Sequence, residues 1–185
     1  MVGTVATDAH RNALPFPLHD GERTDSYRRM MSWFANYVLA DAQDLDSIEE
    51  AVATGRMYGA FQVFGEPVGF DFYAETAKGV AEMGDEVDLG DGPEFHVALP
   101  AFYAMDPDLD PSELHVRVIK AGATGGTVVA ESVDEDLDFT PVDPGAYRVE
   151  IGIVPYHLTP WLGPDADIFL REYPLIYANP IYVAD

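Results

Sequence analysis

After residue 56 the chain alternates between apolar and polar positions in short runs. Tyr147, Val149, Ile151 and Ile153 interleave with small or charged residues, so one face of that strand belongs in a core and the other in water. Further strands are predicted at 58–64, 69–74, 95–99, 114–121, 127–133 and 176–183, and Gly65-Glu66-Pro67-Val68 reads as a hairpin connection between the first two. Gly, Pro and Asp punctuate these runs at short intervals, a pattern of antiparallel sandwiches or barrels rather than of βαβ units.

Upstream the spacing changes. Tyr27, Met30, Met31, Phe34 and Val38 recur at helical intervals and predict a helix from Thr24 or Asp25 to about residue 40. Its apolar face requires a partner. After a polar break at 41–44, Leu45, Ile48 and Val52 mark a second, shorter helix, with Ser47 and Glu50 as a capping box and Gly55 as the left-handed residue beyond its end. Val2, Val5 and the small residues around them predict a short buried strand, and Asn12 to Gly21, with Pro15 and Pro17, a loop.

Asp143-Pro144-Gly145, followed by Tyr147 at the start of its strand, resembles the tyrosine corner of immunoglobulin-like sandwiches. Val149 stands where members with a disulfide carry cysteine, so packing alone must join the sheets. The expected fold is mainly β: an immunoglobulin-like antiparallel β-sandwich preceded by a short helical segment.

Composition narrows the function classes. The 185 residues are 48% hydrophobic, which suits a folded domain, and carry a formal charge of -23 from 33 acidic and 10 basic side chains. Only Lys78 and Lys120 are lysines. Such a field repels phosphate backbones and anionic lipid surfaces, so no nucleic-acid partner is expected, and it suits salty surroundings where screening weakens self-repulsion. Without cysteine there is neither a disulfide nor a thiolate metal site. No apolar run reaches the roughly 20 residues of a transmembrane segment, and the chain is expected to be soluble.

Candidate chemistry is concentrated near the amino end. In Thr7-Asp8-Ala9-His10 the carboxylate and imidazole, two residues apart, can leave the same side and converge on one cation, or Asp8 can close an Asx turn with His10 in solvent. Arg11 and Arg23 offer guanidinium forks for a phosphate group, or are surface or cap-pairing arginines. The acidic runs at Asp106, Asp108, Asp110 and at Asp134, Asp136, Asp138 fail the EF-hand test: Pro111 and Phe139 replace the glycine of the sixth position, and Arg117 and Gly145 the glutamate of the twelfth. His96 and His115 alternate with apolar neighbours and belong on an outer sheet face. His157 lies among Pro155, Tyr156, Pro160 and Trp161, in a loop that folds over the sandwich end or offers a sugar-stacking platform. Nucleophile-elbow glycines, phosphate-cradling loops and internal repeats are missing from the sequence.

Thr7-Asp8-Ala9-His10-Arg11-Asn12, with Asp20-Gly21-Glu22-Arg23 and Asp25-Ser26-Tyr27-Arg28-Arg29, resembles the end of the catalytic domain in PHP-type metal-dependent phosphoesterases of the CehA-related subgroup. Gly55-Arg56, Val68-Gly69-Phe70-Asp71-Phe72 and Ala178-Asn179-Pro180-Ile181-Tyr182-Val183 are similar to that subgroup's carboxy-terminal region. The resemblance implies that Asp8 and His10 are metal ligands, that the metal is zinc, manganese or iron, and that the substrate is a phosphoester-type small molecule. It divides the chain into 1–55, the remnant of a PHP catalytic domain, and 56–185, the β-sandwich. The departure is equally specific. The family's amino-terminal His-x-His is missing, because His10, His19, His96, His115 and His157 form no such pair. The chain therefore reads as a carboxy-terminal fragment, inactive alone, whose partner is an upstream PHP barrel or a second copy docking on the helical face, with any export signal in the upstream part. The alternative reading is a non-catalytic sandwich that binds a ligand or oligomerises.

Overall fold

A computed structural model describes residues 2–9, 14 and 16–185. In chain order the strands are β1 (Phe34–Val38), β2 (Met57–Phe61), β3 (Pro67–Val68), β4 (Asp71–Thr76), β5 (Gly79–Glu82), β6 (Glu86–Asp88) and β7 (Glu94–Ala98). They continue with β8 (Ala101–Phe102), β9 (Glu113–Gly122), β10 (Gly125–Val133), β11 (Leu137–Phe139), β12 (Gly145–Val154), β13 (Tyr173–Ala178) and β14 (Ile181–Ala184). The protein is mainly β, and its strand pairs are antiparallel except for β14 with β6.

The larger sheet runs β10-β9-β12 and then forks. Beside the second half of β12 it continues as β13-β2-β1, and beside the first half as β14-β6. The fork lies at Asn179-Pro180, between β13 and β14, so the single strand predicted over 176–183 is two. Proline has no N–H for a ladder, and strands end at such positions. The smaller sheet has the order β11-β7-β4-β5.

One core lies between these sheets. Phe72, Ala74, Phe95 and Val97 of the smaller sheet share it with Val116, Val118, Tyr147, Val149, Ile151 and Ile153 of the larger. The alternation read in β12 therefore holds residue by residue, with Tyr147, Val149, Ile151 and Ile153 all buried. The Tyr147 hydroxyl donates a hydrogen bond to the Asp143 carbonyl at 2.6 Å, while its ring meets Phe95 and Phe139. That bond anchors the turn before β12 to the core.

Three local expectations are corrected. The helix predicted from residue 24 or 25 to about 40 is a four-residue helix, α1 (Tyr27–Met30), followed by β1. Ser26 caps α1, but so short a helix has little stability of its own. Pairing Phe34–Val38 with all five residues of β2 satisfies more of the backbone and stacks Tyr37 on Tyr58. The apolar helical face from Tyr27 to Val38, on which a second copy was expected to dock, is therefore split between a helical turn and a strand. The hairpin at 65–68 is also not formed. Gln62–Phe64 makes a 3-10 turn, Pro67–Val68 pairs with Ala101–Phe102, and β2 and β4 enter different sheets, which lets Phe70 meet Tyr58 edge-on. Finally, α2 (Leu45–Thr54) is capped by the Asp44 carboxylate, which accepts from the Ser47 amide, rather than by a Ser47–Glu50 box. Gly55 ends it with φ 87°, as its sequence position predicts. No helix among the described residues is long and apolar enough to cross a membrane.

Candidate functional site

Residues 2–9 form no ladder with either sheet, which corrects the buried strand expected at Val2 and Val5. Two asparagine side chains replace the ladder. Asn36 on β1 accepts from the Val5 amide at 3.0 Å and donates to the Val5 carbonyl at 2.9 Å. Asn179, buried between β13 and β14, accepts from the Gly3 amide at 2.7 Å and donates to the carbonyls of Gly3 and Met57. A carboxamide presents one donor and one acceptor, as a strand residue does, so each clamp serves the residue it faces. Gly3 and Val5 are two apart, which in an extended segment puts them on one side.

Val5 lies over Gly59 of β2 so closely that a Cβ there would stand 2.3 Å from a Val5 methyl carbon. Gly55 approaches Val2 less closely, with a Cβ there standing 3.3 Å from a Val2 methyl carbon. Beneath the segment, Gly59, Arg148, Tyr177 and Asn179 help to line a cavity of about 340 Å³. Removing the buried clamp by Asn179→Ala is expected to cost about 1–3 kcal/mol, because it also leaves the Met57 carbonyl without its side-chain donor. Deuterium uptake in the peptide 1–9 should rise while uptake in β12 is unchanged, a contrast readable by exchange mass spectrometry.

Asp8 follows at the end of this segment, exposed and with φ 48°. Aspartate is among the residues that tolerate this left-handed backbone. His10 and Arg11 lie outside the described residues. Among the described residues no group of three or more His, Asp or Glu side chains converges in a way that could hold a metal ion. The Asp8–His10 pair that the family resemblance implies as metal ligands is thus only half in view, with Asp8 described and His10 not.

Arg23 forks onto Asp25, with its Nε at 2.8 Å from one carboxylate oxygen and a terminal nitrogen at 3.0 Å from the other. Asp25 is buried and also accepts from the Leu14 amide. This pairing locks the turn before α1, and in it the fork faces a carboxylate rather than a phosphate.

In the acidic run at 134–138, Asp134 and Asp136 anchor backbone amides and Asp138 makes a cross-strand pair. Asp134 accepts from the Leu114 amide at 2.7 Å, Asp136 from the Leu99 amide at 2.8 Å, and Asp138 lies 2.8 Å from Nδ1 of His96. Asp106 closes an Asx turn onto the Asp108 amide. His115 sits between Glu113 and Glu172 on the outer face of the larger sheet.

His157 differs from the outer-face histidines, being only 5% exposed. Its Nε2 lies 2.8 Å from the Phe64 carbonyl, which can only accept, so that nitrogen carries the proton. Nδ1 then accepts from the Ser112 hydroxyl at 2.5 Å. Burial pushes the imidazole pKa below its usual range, so the ring remains neutral at pH 7. The two bonds pin the 155–161 loop over the end of the sheets, the first of the two arrangements expected for it. Beside this clasp lies a cleft of about 370 Å³ walled by Val63, Phe102, Leu109 and Leu158. The rings of Tyr103 and Trp161 stand at its rim, 69% and 68% exposed.

No family model, no curated protein and no solved structure matches the chain. Sequence reasoning missed the parts of Asn36, Asn179 and Ser112. Their signal exists only in pairs, since an isolated Asn or Ser at a strand or loop position does not say which distant backbone it will meet.

Proposed function

We propose that this chain is the accessory carboxy-terminal part of a PHP-like metal-dependent phosphoesterase, and that its immunoglobulin-like sandwich supports the Thr7–His10 stretch without performing chemistry itself. The observation that carries this reading is a convergence. The Gly55-Arg56 pair and the Ala178–Val183 stretch, distant in sequence, both carry the family resemblance, and they meet the segment that leads into the Thr7–His10 motif: Asn179 holds Gly3, and Gly55 packs against Val2 and Asn179. The tyrosine-corner bond from Tyr147 to Asp143 supports the immunoglobulin-like form of the sandwich. An accessory role also suits the carboxylates of Asp25, Asp134 and Asp136, which anchor backbone amides or pair with an arginine.

The decisive experiment has two arms. Immunoblotting of the source organism with antibody against this chain should show a protein well above the mass of 185 residues. The purified chain should retain no stoichiometric zinc, manganese or iron by plasma mass spectrometry and turn over no aryl phosphate. A native protein of this chain's own mass would instead support the alternative, a binding or oligomerisation module, for which the exposed Tyr103 and Trp161 rings at the cleft are the favouring observation. Metal-dependent turnover lost in Asp8→Ala/His10→Ala would overturn the non-catalytic assignment.

A further inference from the structure

An independent feature lies at the opposite edge of the larger sheet. β10 pairs with β9 on one side, and among the described residues no strand pairs with its other side. It is nine residues long, whereas the remaining edge strands of the two principal sheets, β1, β5, β6 and β11, have three to five. Val128, Val129 and Val133 on it are exposed, and it contains neither proline nor lysine, two of the usual guards of such an edge. An open edge of this length offers a row of main-chain donors and acceptors whose natural complement is another strand.

We propose that the complement is β10 of a second copy, paired antiparallel about a two-fold axis near Val128 and Val129. Charge selects this occupant. In a chain of net charge -23 most surfaces repel their own image, but β10 carries one charged side chain, Glu131, which stands in register with Arg117 on β9. Antiparallel symmetry places Glu131 opposite the Gly126-Thr127 stretch of the second copy rather than opposite its own symmetry mate. Shape selects it as well. The register shift between Val128 and Ala130 marks a bulge, which sharpens the strand's twist. Two copies share that twist, whereas a regular foreign strand does not match it. Because the interface is isologous, pairing closes at a dimer and joins the two larger sheets edge to edge.

Sedimentation equilibrium in molar salt, where repulsion is screened, tests the proposal. The wild-type chain should form a reversible dimer. Thr127→Lys/Val129→Lys should raise the dissociation constant at least about tenfold, although the added lysines lower the net negative charge. Val80→Lys on the edge of the smaller sheet should leave the constant unchanged, and melting curves would verify that both variants are folded. On the wild type alone, amide protection in β10 should increase with protein concentration. A chain that stays monomeric in molar salt, β10 amides indifferent to concentration, or a dimer weakened equally by Val80→Lys would each overturn the inference.

Discussion

Phe95→Ala is expected to lower the stability of the fold by about 3–5 kcal/mol. Phe95, on β7, is 0% exposed, and its ring lies 5.6 Å from Phe72, 5.5 Å from Tyr147 and 6.2 Å from Phe139, centre to centre. Those neighbours come from β4, β12 and β11, so one truncation opens a cavity between the sheets instead of at a margin. Two of these walls, β4 and β12, are strands held by ladders on both sides, and they can relax little into the space. At about 2–4 °C per kcal/mol for a chain of this size, the midpoint should fall by roughly 6–20 °C in calorimetry. Phe95→Leu keeps most of the volume and should cost less than about 1.5 kcal/mol. A loss below that value for the alanine variant would show that the sheets do not share this core.

Gly84→Ala should produce the second large effect through the backbone. Gly84 has φ 91°, and a Cβ built there stands 2.2 Å from the Thr54 carbonyl oxygen and 2.9 Å from its carbon. Main chain, unlike a flexible side-chain tip, cannot move aside cheaply. The same residue donates to the Pro180 carbonyl at 2.8 Å. The substitution therefore pushes the end of α2 and the fork at Pro180 apart at once. Left-handed strain and overpacking together should cost roughly 2–5 kcal/mol in urea unfolding. Gly92→Ala provides the internal control, because Gly92 also has a positive φ, 65°, but nothing lies within 4 Å of the added Cβ. It should cost only about 1–2 kcal/mol, from the left-handed conformation alone. Equal losses at the two positions would mean that the contact with Thr54 does not hold α2 in place. Because Gly55 and Asn179 adjoin this contact, the Gly84 variant should also loosen residues 2–9.

Legibility differed sharply between elements. β12 could be read almost to the residue, because alternation, a preceding turn and an anchoring tyrosine all pointed the same way. Gly55 was equally plain, since a positive φ after a helix leaves few other choices. Phe34–Val38 misled because Phe34 and Val38 extend a helical spacing from Tyr27 and also fit a strand with Tyr37 turned inward. Of the predicted site, Asp8 lies at an exposed turn and Arg23 on Asp25, while His10 and Arg11 fall outside the described residues. The anchoring role of the acidic run at 134–138 was hidden, because composition marks a carboxylate but not the amide it will meet.

By itself the sequence determined that this is a mainly β protein, which residues of β12 face inward, and that the chain carries a formal charge of -23. Those properties follow from local alternation and from summed charge, neither of which depends on what a residue touches. Only the tertiary structure decided that β1 is a strand, that β2 and β4 part company, that the sheet forks at Pro180, and that Asn36 and Asn179 hold the amino-terminal segment. Each is a choice among partners of similar local propensity. Such choices are settled by which distant backbone groups need bonds and which apolar faces need cover once the sheets have formed.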